Sequence, residues 1–149
     1  MKRIIIYSTN DEIISLRLVS KIISHDYLKN FNIDIILVKP SFLRKLKIFL
    51  VMIFFGSIKE FFLQMQNKIS IQQIINKNKN CRLIERPDDI NYEFGLSVNY
   101  IRKIKIEKFK IYNFHLGSLR NQRGSFIFFY KFIRNWDKIS LTFHEISSK

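Results

Sequence analysis

The segment Ile111-Tyr112-Asn113-Phe114-His115-Leu116-Gly117 holds the residues of this chain best suited to chemistry. Asn113 and His115 stand two apart at the end of an apolar, strand-prone run, a spacing that sends both side chains to one face. A carboxamide can donate to an oxygen that gains negative charge when an acyl carbon is attacked. An imidazole, which titrates near ~6.5 in model peptides, can take a proton from an attacking amine and return it to a leaving nitrogen. Together they fit acyl transfer to an amine. Gly117 and Gly124, two of the four glycines, follow directly, and residues without Cβ let the backbone turn tightly or approach a ligand. The same pair also fits a plain turn, with the asparagine satisfying backbone groups and the histidine in solvent. The spacing alone does not choose.

These residues need a scaffold, and the hydrophobic pattern describes one. Residues 2–7 are a β-branched run that reads as a buried strand. Asn10 or Asp11 caps a helix in which Ile13, Ile14, Leu16, Leu18, Ile22 and Ile23 recur near helical spacing. Residues 33–38 form a second strand, stopped by Pro40. Ser41 caps a helical region running to about Asn67, with a break at Gly56-Ser57. Residues 82–84 are a short strand closed by the turn cluster Arg86-Pro87-Asp88-Asp89. Strands over 94–98 and 110–114, a helix over 125–135 and a last strand over 139–144 complete the order.

Alternating strands and helices, with the strands as near-continuous apolar runs, imply parallel pairing with helices on both faces. The expectation is one Rossmann-like α/β domain over residues 1–149, without internal repeat or low-complexity linker. Ligands of such sheets gather at the carboxyl ends of the strands. The loops after Tyr7, Val98 and Phe114 therefore come first in the search for a site.

Composition narrows the classes. The 26 Lys and Arg against 12 Asp and Glu leave a formal charge of +14. The excess is spread along the chain, with 11 basic and 5 acidic residues in positions 1–75. Alanine is absent while isoleucine occurs 27 times and lysine 17 times, so a bias over the whole chain explains the charge more simply than a nucleic-acid stripe does. One cysteine, Cys81, excludes a disulfide framework and a Cys-rich zinc site and suits a reducing compartment. The most apolar stretch, residues 48–58, is uncharged over only 11 positions, where a membrane span needs roughly 20. It reads as a buried helix, with a helix lying in a membrane interface as the alternative. The expected setting is cytoplasmic, without stable membrane insertion.

Asn113-Phe114-His115-Leu116-Gly117-Ser118-Leu119, then Arg123-Gly124, an aromatic helix and Leu141-Thr142-Phe143-His144 resemble the catalytic domain of the 10-formyltetrahydrofolate-dependent formyltransferases. That family includes methionyl-tRNA, phosphoribosylglycinamide and sugar-amine formyltransferases. The resemblance implies a formyltransferase-like Rossmann fold and transfer of a formyl group from 10-formyltetrahydrofolate, as co-substrate, to a primary amine. It gives Asn113 the role of holding the oxyanion and His115 that of moving protons. Residues 99–104 match the loop that holds the pterin ring, with Tyr100, Ile101, Arg102 and Ile104 as the contact positions. Gly117 and Ser118 fall in the turn beside the acceptor, and Arg123 is placed to orient an anionic group. No metal is implied. The acceptor is a nucleotide-linked amino sugar or methionyl-tRNA.

The chain departs from the family pattern in its turn, where Arg120 stands at the family's proline, and in a connection from Pro87 to Tyr92 too short for a crossover helix. The family's catalytic Asp follows the Thr-x-His strand by a few residues, and Lys149 is reached first. The expectation is a domain truncated before that Asp, with an exposed sheet edge open to self-association. The alternative function is a non-catalytic, formyltransferase-like fragment or interaction module.

Overall fold

Three consecutive isoleucines build the middle of the sheet. Ile4, Ile5 and Ile6 of β1 (Lys2–Thr9) have no solvent exposure, as a strand covered on both faces requires. The computed structural model describes residues 2–10, 13–54, 71–87, 91–100, 102–105, 108–116 and 140–146. Its other strands are β2 (Phe31–Val38), β3 (Cys81–Leu83), β4 (Phe94–Val98), β5 (Ile111–Leu116) and β6 (Leu141–Glu145). Its helices are α1 (Ile13–Ile23), α2 (Phe42–Phe54) and α3 (Ile71–Lys77), with a 3-10 turn at Asp26–Asn30. The strands form one sheet in the order β3-β2-β1-β4-β5-β6. All neighbours run parallel except β5 and β6, which are antiparallel. The α/β expectation therefore stands as a mostly parallel, mixed sheet.

Strand alternation divides the core in two. On one face Ile4, Ile6, Ile33 and Ile35 pack with Val19 and Ile23 of α1 and Ile71 and Ile75 of α3. On the other, Ile5, Tyr7, Ile36 and Ile111 pack with Tyr92, Ile84, Tyr100, Ile104 and Phe109. Helices on both faces were expected. Among the described residues, the helices of the core, α1 and α3, share the first face, and loop side chains cover the second. The helix expected over 125–135 lies outside the described residues. No helix was expected over 71–77, and the spacing of Ile71, Ile74 and Ile75 is the signal for it. Among the described residues no helix is long and apolar enough to cross a membrane.

The short link from β3 to β4 works because it stays extended at both ends. The Ile84 N–H donates to the Ile35 carbonyl (2.9 Å) and the Glu93 N–H to the Arg3 carbonyl (2.9 Å). An extended chain of ten residues reaches roughly 30 Å, ample to span the three strand spacings of about 5 Å each between β3 and β4. Farther along, Gly95 lets Phe109 close onto the sheet: a Cβ there would stand 3.1 Å from the Phe109 ring and 3.2 Å from both Ile5 and Ile111.

One buried charge anchors this second face. Asp34 is only 1% exposed, and a buried carboxylate must be paired. Arg82 on β3 grips it with two bonds, Nε to Oδ1 at 2.6 Å and Nη2 to Oδ2 at 2.9 Å. The Tyr92 hydroxyl donates to Oδ2 at 2.7 Å and Arg3 stands 3.6 Å away. Burial alone would push the Asp34 carboxyl up, but the bonds from Arg82 and Tyr92 and the two guanidinium charges outweigh it, so the group sits below the ordinary carboxylate value. We expect Asp34→Ala to cost about 2–3 kcal/mol in urea unfolding, because Tyr92 and the arginines lose their shared acceptor. A carboxylate whose native value is lowered contributes stability that is complete above the unfolded value near ~4 and is lost as pH falls through the native one. Wild type should therefore lose stability below about pH 4 more steeply than Asp34→Asn. Parallel pH profiles for the two proteins would contradict this role.

Candidate functional site

The strand order turns back between β1 and β4, and ligands of open sheets bind beyond such a reversal. Here the reversal is stitched by side chains. The Ser8 hydroxyl donates to the Val98 carbonyl at 2.9 Å and Thr9 Oγ1 to the Asn99 carbonyl at 2.5 Å. Asn99 has a φ of 51°, a left-handed conformation that asparagine tolerates, and its Nδ2 donates to Ser15 Oγ at 2.9 Å. The turn from β1 to α1 contains no glycine, so the Gly-rich phosphate cradle of dinucleotide-binding folds is absent from it.

A cluster of polar side chains lies two strand pairs away, where β6 joins β5. The register pairs Tyr112 with Glu145, Asn113 with His144, Phe114 with Phe143, and His115 with Thr142. Paired residues share a face, so Asn113, His115, Thr142 and His144 lie together on the face of the second core. Tyr112, Phe114 and Phe143 lie on the opposite face, their rings 5.1 and 4.8 Å apart. The polar side continues inward as a transverse row, His144–Asn113–Ser97–Tyr7, one residue from each of four neighbouring strands.

Asn113 and His144 are in direct contact, with Nδ2 and Nε2 3.2 Å apart. His144 Nδ1 lies 3.2 Å from the Glu145 carbonyl oxygen. With Asn113 oriented so that Nδ2 faces the ring, one assignment satisfies both bonds. Nδ1 carries the proton and donates to the carbonyl, and Nε2 accepts from the Asn113 amide. The asparagine is thereby oriented, and its second amide hydrogen remains to donate elsewhere. Glu145 is turned to the other face and pairs with Lys110, Oε2 to Nζ at 3.4 Å.

The structure brings Asn113 and His115 onto one half-buried face of β5. Tyr100 and Ile104 it packs into the second core, with the Tyr100 ring edge-on to Tyr7 at 5.5 Å. Burial pushes the Tyr100 phenol up. Arg102 is exposed. Ile101, Gly117, Ser118 and Arg123 lie outside the described residues. His144 was read as part of the last strand and of the Thr-x-His motif, without a role of its own in the site; its parity with Thr142, opposite a strand bearing Asn-x-His, is the signal that gives it one. Burial pushes the Cys81 thiol up to about 11, which disfavours the thiolate. Among the described residues no three His, Cys, Asp or Glu side chains gather to hold a metal ion.

Comparison with protein-family models finds no match, and neither curated proteins nor solved structures give a significant one. The site therefore rests on its own geometry. Long-range proton–nitrogen NMR should find neutral His144 as the Nδ1-protonated tautomer in wild type and a mixture in Asn113→Ala. The Nε2-protonated form in wild type would contradict the orientation given to Asn113.

Proposed function

We propose that this chain transfers a formyl group from 10-formyltetrahydrofolate to a primary amine. The observation that carries the reading is the carboxamide of Asn113 and the imidazole of His115 on one face at the carboxyl end of β5, with Asn113 oriented by His144. The donor, when bound, supplies an activated formyl carbon. Asn113 directs its second amide hydrogen at the formyl oxygen as negative charge develops there. His115 accepts the proton that the amine must lose and returns it to the leaving nitrogen. Tyr100 and Ile104 offer a half-buried apolar edge that suits a flat ring, and exposed Arg102 suits the donor's carboxylates. A nucleotide-linked amino sugar is preferred over methionyl-tRNA as acceptor because the positive charge is spread over the chain. A cytoplasmic setting belongs to the same reading.

A second reading, a non-catalytic interaction module, is favoured by two observations on β6. Its one carboxylate, Glu145, is turned away from the polar face, and Leu141 and Phe143 are exposed.

A labelled-formyl assay offering both acceptors separates them. Asn113→Ala and His115→Ala should each lower the rate by about 100-fold or more. His144→Ala, which only frees the asparagine, should lower it by about tenfold. Folded wild-type protein that moves no formyl to either amine, or that matches all three variants, removes the enzymatic reading.

A further inference from the structure

α2 is an amphipathic helix turned outward. A helix of a globular domain normally directs its apolar stripe at the core. In α2 Phe49 is half-buried, and the apolar residues Phe42, Leu43, Leu46, Leu50 and Ile53 are exposed, Phe42 by 77% and Leu43 by 67%. At 100° per residue these five fall within an arc of about 100°. Lys47 stands beyond one rim of that arc and Lys45 beyond the other, and both are exposed. The helix begins firmly: the Arg44 N–H donates to Ser41 Oγ at 3.3 Å and the Lys45 N–H to the Ser41 carbonyl at 3.1 Å. From Asp34 to Glu60 the chain carries Lys39, Arg44, Lys45, Lys47 and Lys59 and no acidic residue between.

We propose that α2 docks the protein on a bilayer surface rich in anionic phospholipid. An apolar arc bordered by lysines is the pattern of a helix lying in the interfacial plane, its hydrocarbon side chains among the acyl boundary and its ammonium groups at the phosphates. Lys45 and Lys47 sit where the arc ends, so both reach the headgroup level when the leucines are submerged. The 13-residue helix is about 20 Å long, too short to cross the roughly 30 Å of hydrocarbon but long enough to lie on it. Charge argues against a second copy of the chain as the occupant. Two such arcs face to face would bring lysine rims together with no carboxylate on either helix to pair them. An acidic membrane surface answers both the apolar arc and its rims.

The test is cosedimentation of the full chain with vesicles of phosphatidylglycerol and phosphatidylcholine, and with phosphatidylcholine alone, at low and high ionic strength. Wild type should bind the anionic vesicles, more weakly in high salt and little to phosphatidylcholine alone. Leu46→Glu/Leu50→Glu should weaken that binding at least about tenfold, while Lys79→Glu, which alters net charge equally from outside the helix, should stay within about twofold of wild type. Circular dichroism checks that the double variant is folded. As a second readout, a polarity-sensitive dye on Leu50→Cys in a Cys81→Ser background should shift to the blue on anionic vesicles. Absence of vesicle binding at low salt, equal losses in the two charge-altered variants, an unmoved dye, or a dimer that Leu46→Glu/Leu50→Glu dissociates without vesicles being bound would each overturn the proposal.

Discussion

The antiparallel register between β5 and β6 is the constraint on which the candidate site depends. Side chains alternate along a strand, so a slip of one residue would exchange the two faces of β6. His144 would then join the aromatic side and Phe143 would replace it opposite Asn113. The observed register is held by aromatic pairing of Phe143 with Tyr112 and Phe114 on one face and by the Asn113–His144 contact on the other. It is also held by the Ile146 N–H donating to the Ile111 carbonyl at 2.7 Å. Hydrophobic packing and polar complementarity specify the same alignment. That agreement keeps an edge strand in place without burying it.

Viewed along the strands, the second face is arranged in layers. Lowest is the Arg82–Asp34 pair, on the level of Ile5, Gly95 and Ile111. Above it runs the row Tyr7, Ser97, Asn113 and His144, and above that His115 opposite Thr142. The buried ion pair and the apolar side chains around Gly95 lie beneath the polar row and fix its height. Burying Asp34 is expensive, and the three donors that converge on it make its position unique. Phe109 closes over Gly95 because no Cβ intervenes. The orientation of Asn113 therefore rests on a floor that admits little movement.

Much of this arrangement was legible in the residues. The β-branched runs of β1 and β2, the short strand β4 and the cap at Ser41 stand where expected, because burial and capping are local signals. The spacing of Asn113 and His115 translated directly into a shared face, since a strand's period is two. What lay beyond reach depended on partners distant in sequence. A period of two does not tell parallel from antiparallel, so the direction of β6 and the partner of His144 were hidden. Three isoleucines in α3 were masked by the polar residues Gln72, Gln73, Asn76 and Lys77 between and after them. The packing of Tyr100 and Ile104 against Tyr7 and its neighbours was likewise hidden, and both keep a half-buried edge. The outward turn of α2 was hidden too, because its composition is that of a core helix.

The most direct test of the account is the register of β5 against β6, read by proton NMR from Hα–Hα contacts across the pair. The bond from Ile146 to Ile111 makes Tyr112–Glu145 and Phe114–Phe143 the close, non-hydrogen-bonded pairs. Strong Hα–Hα cross-peaks are expected at both, together with one from the Asn113 side-chain amide to the His144 ring. Cross-peaks between the α-protons of Asn113 and Phe143, or between the Asn113 amide and the Phe143 ring, would mean a register slipped by one residue. The polar face as described would then not exist.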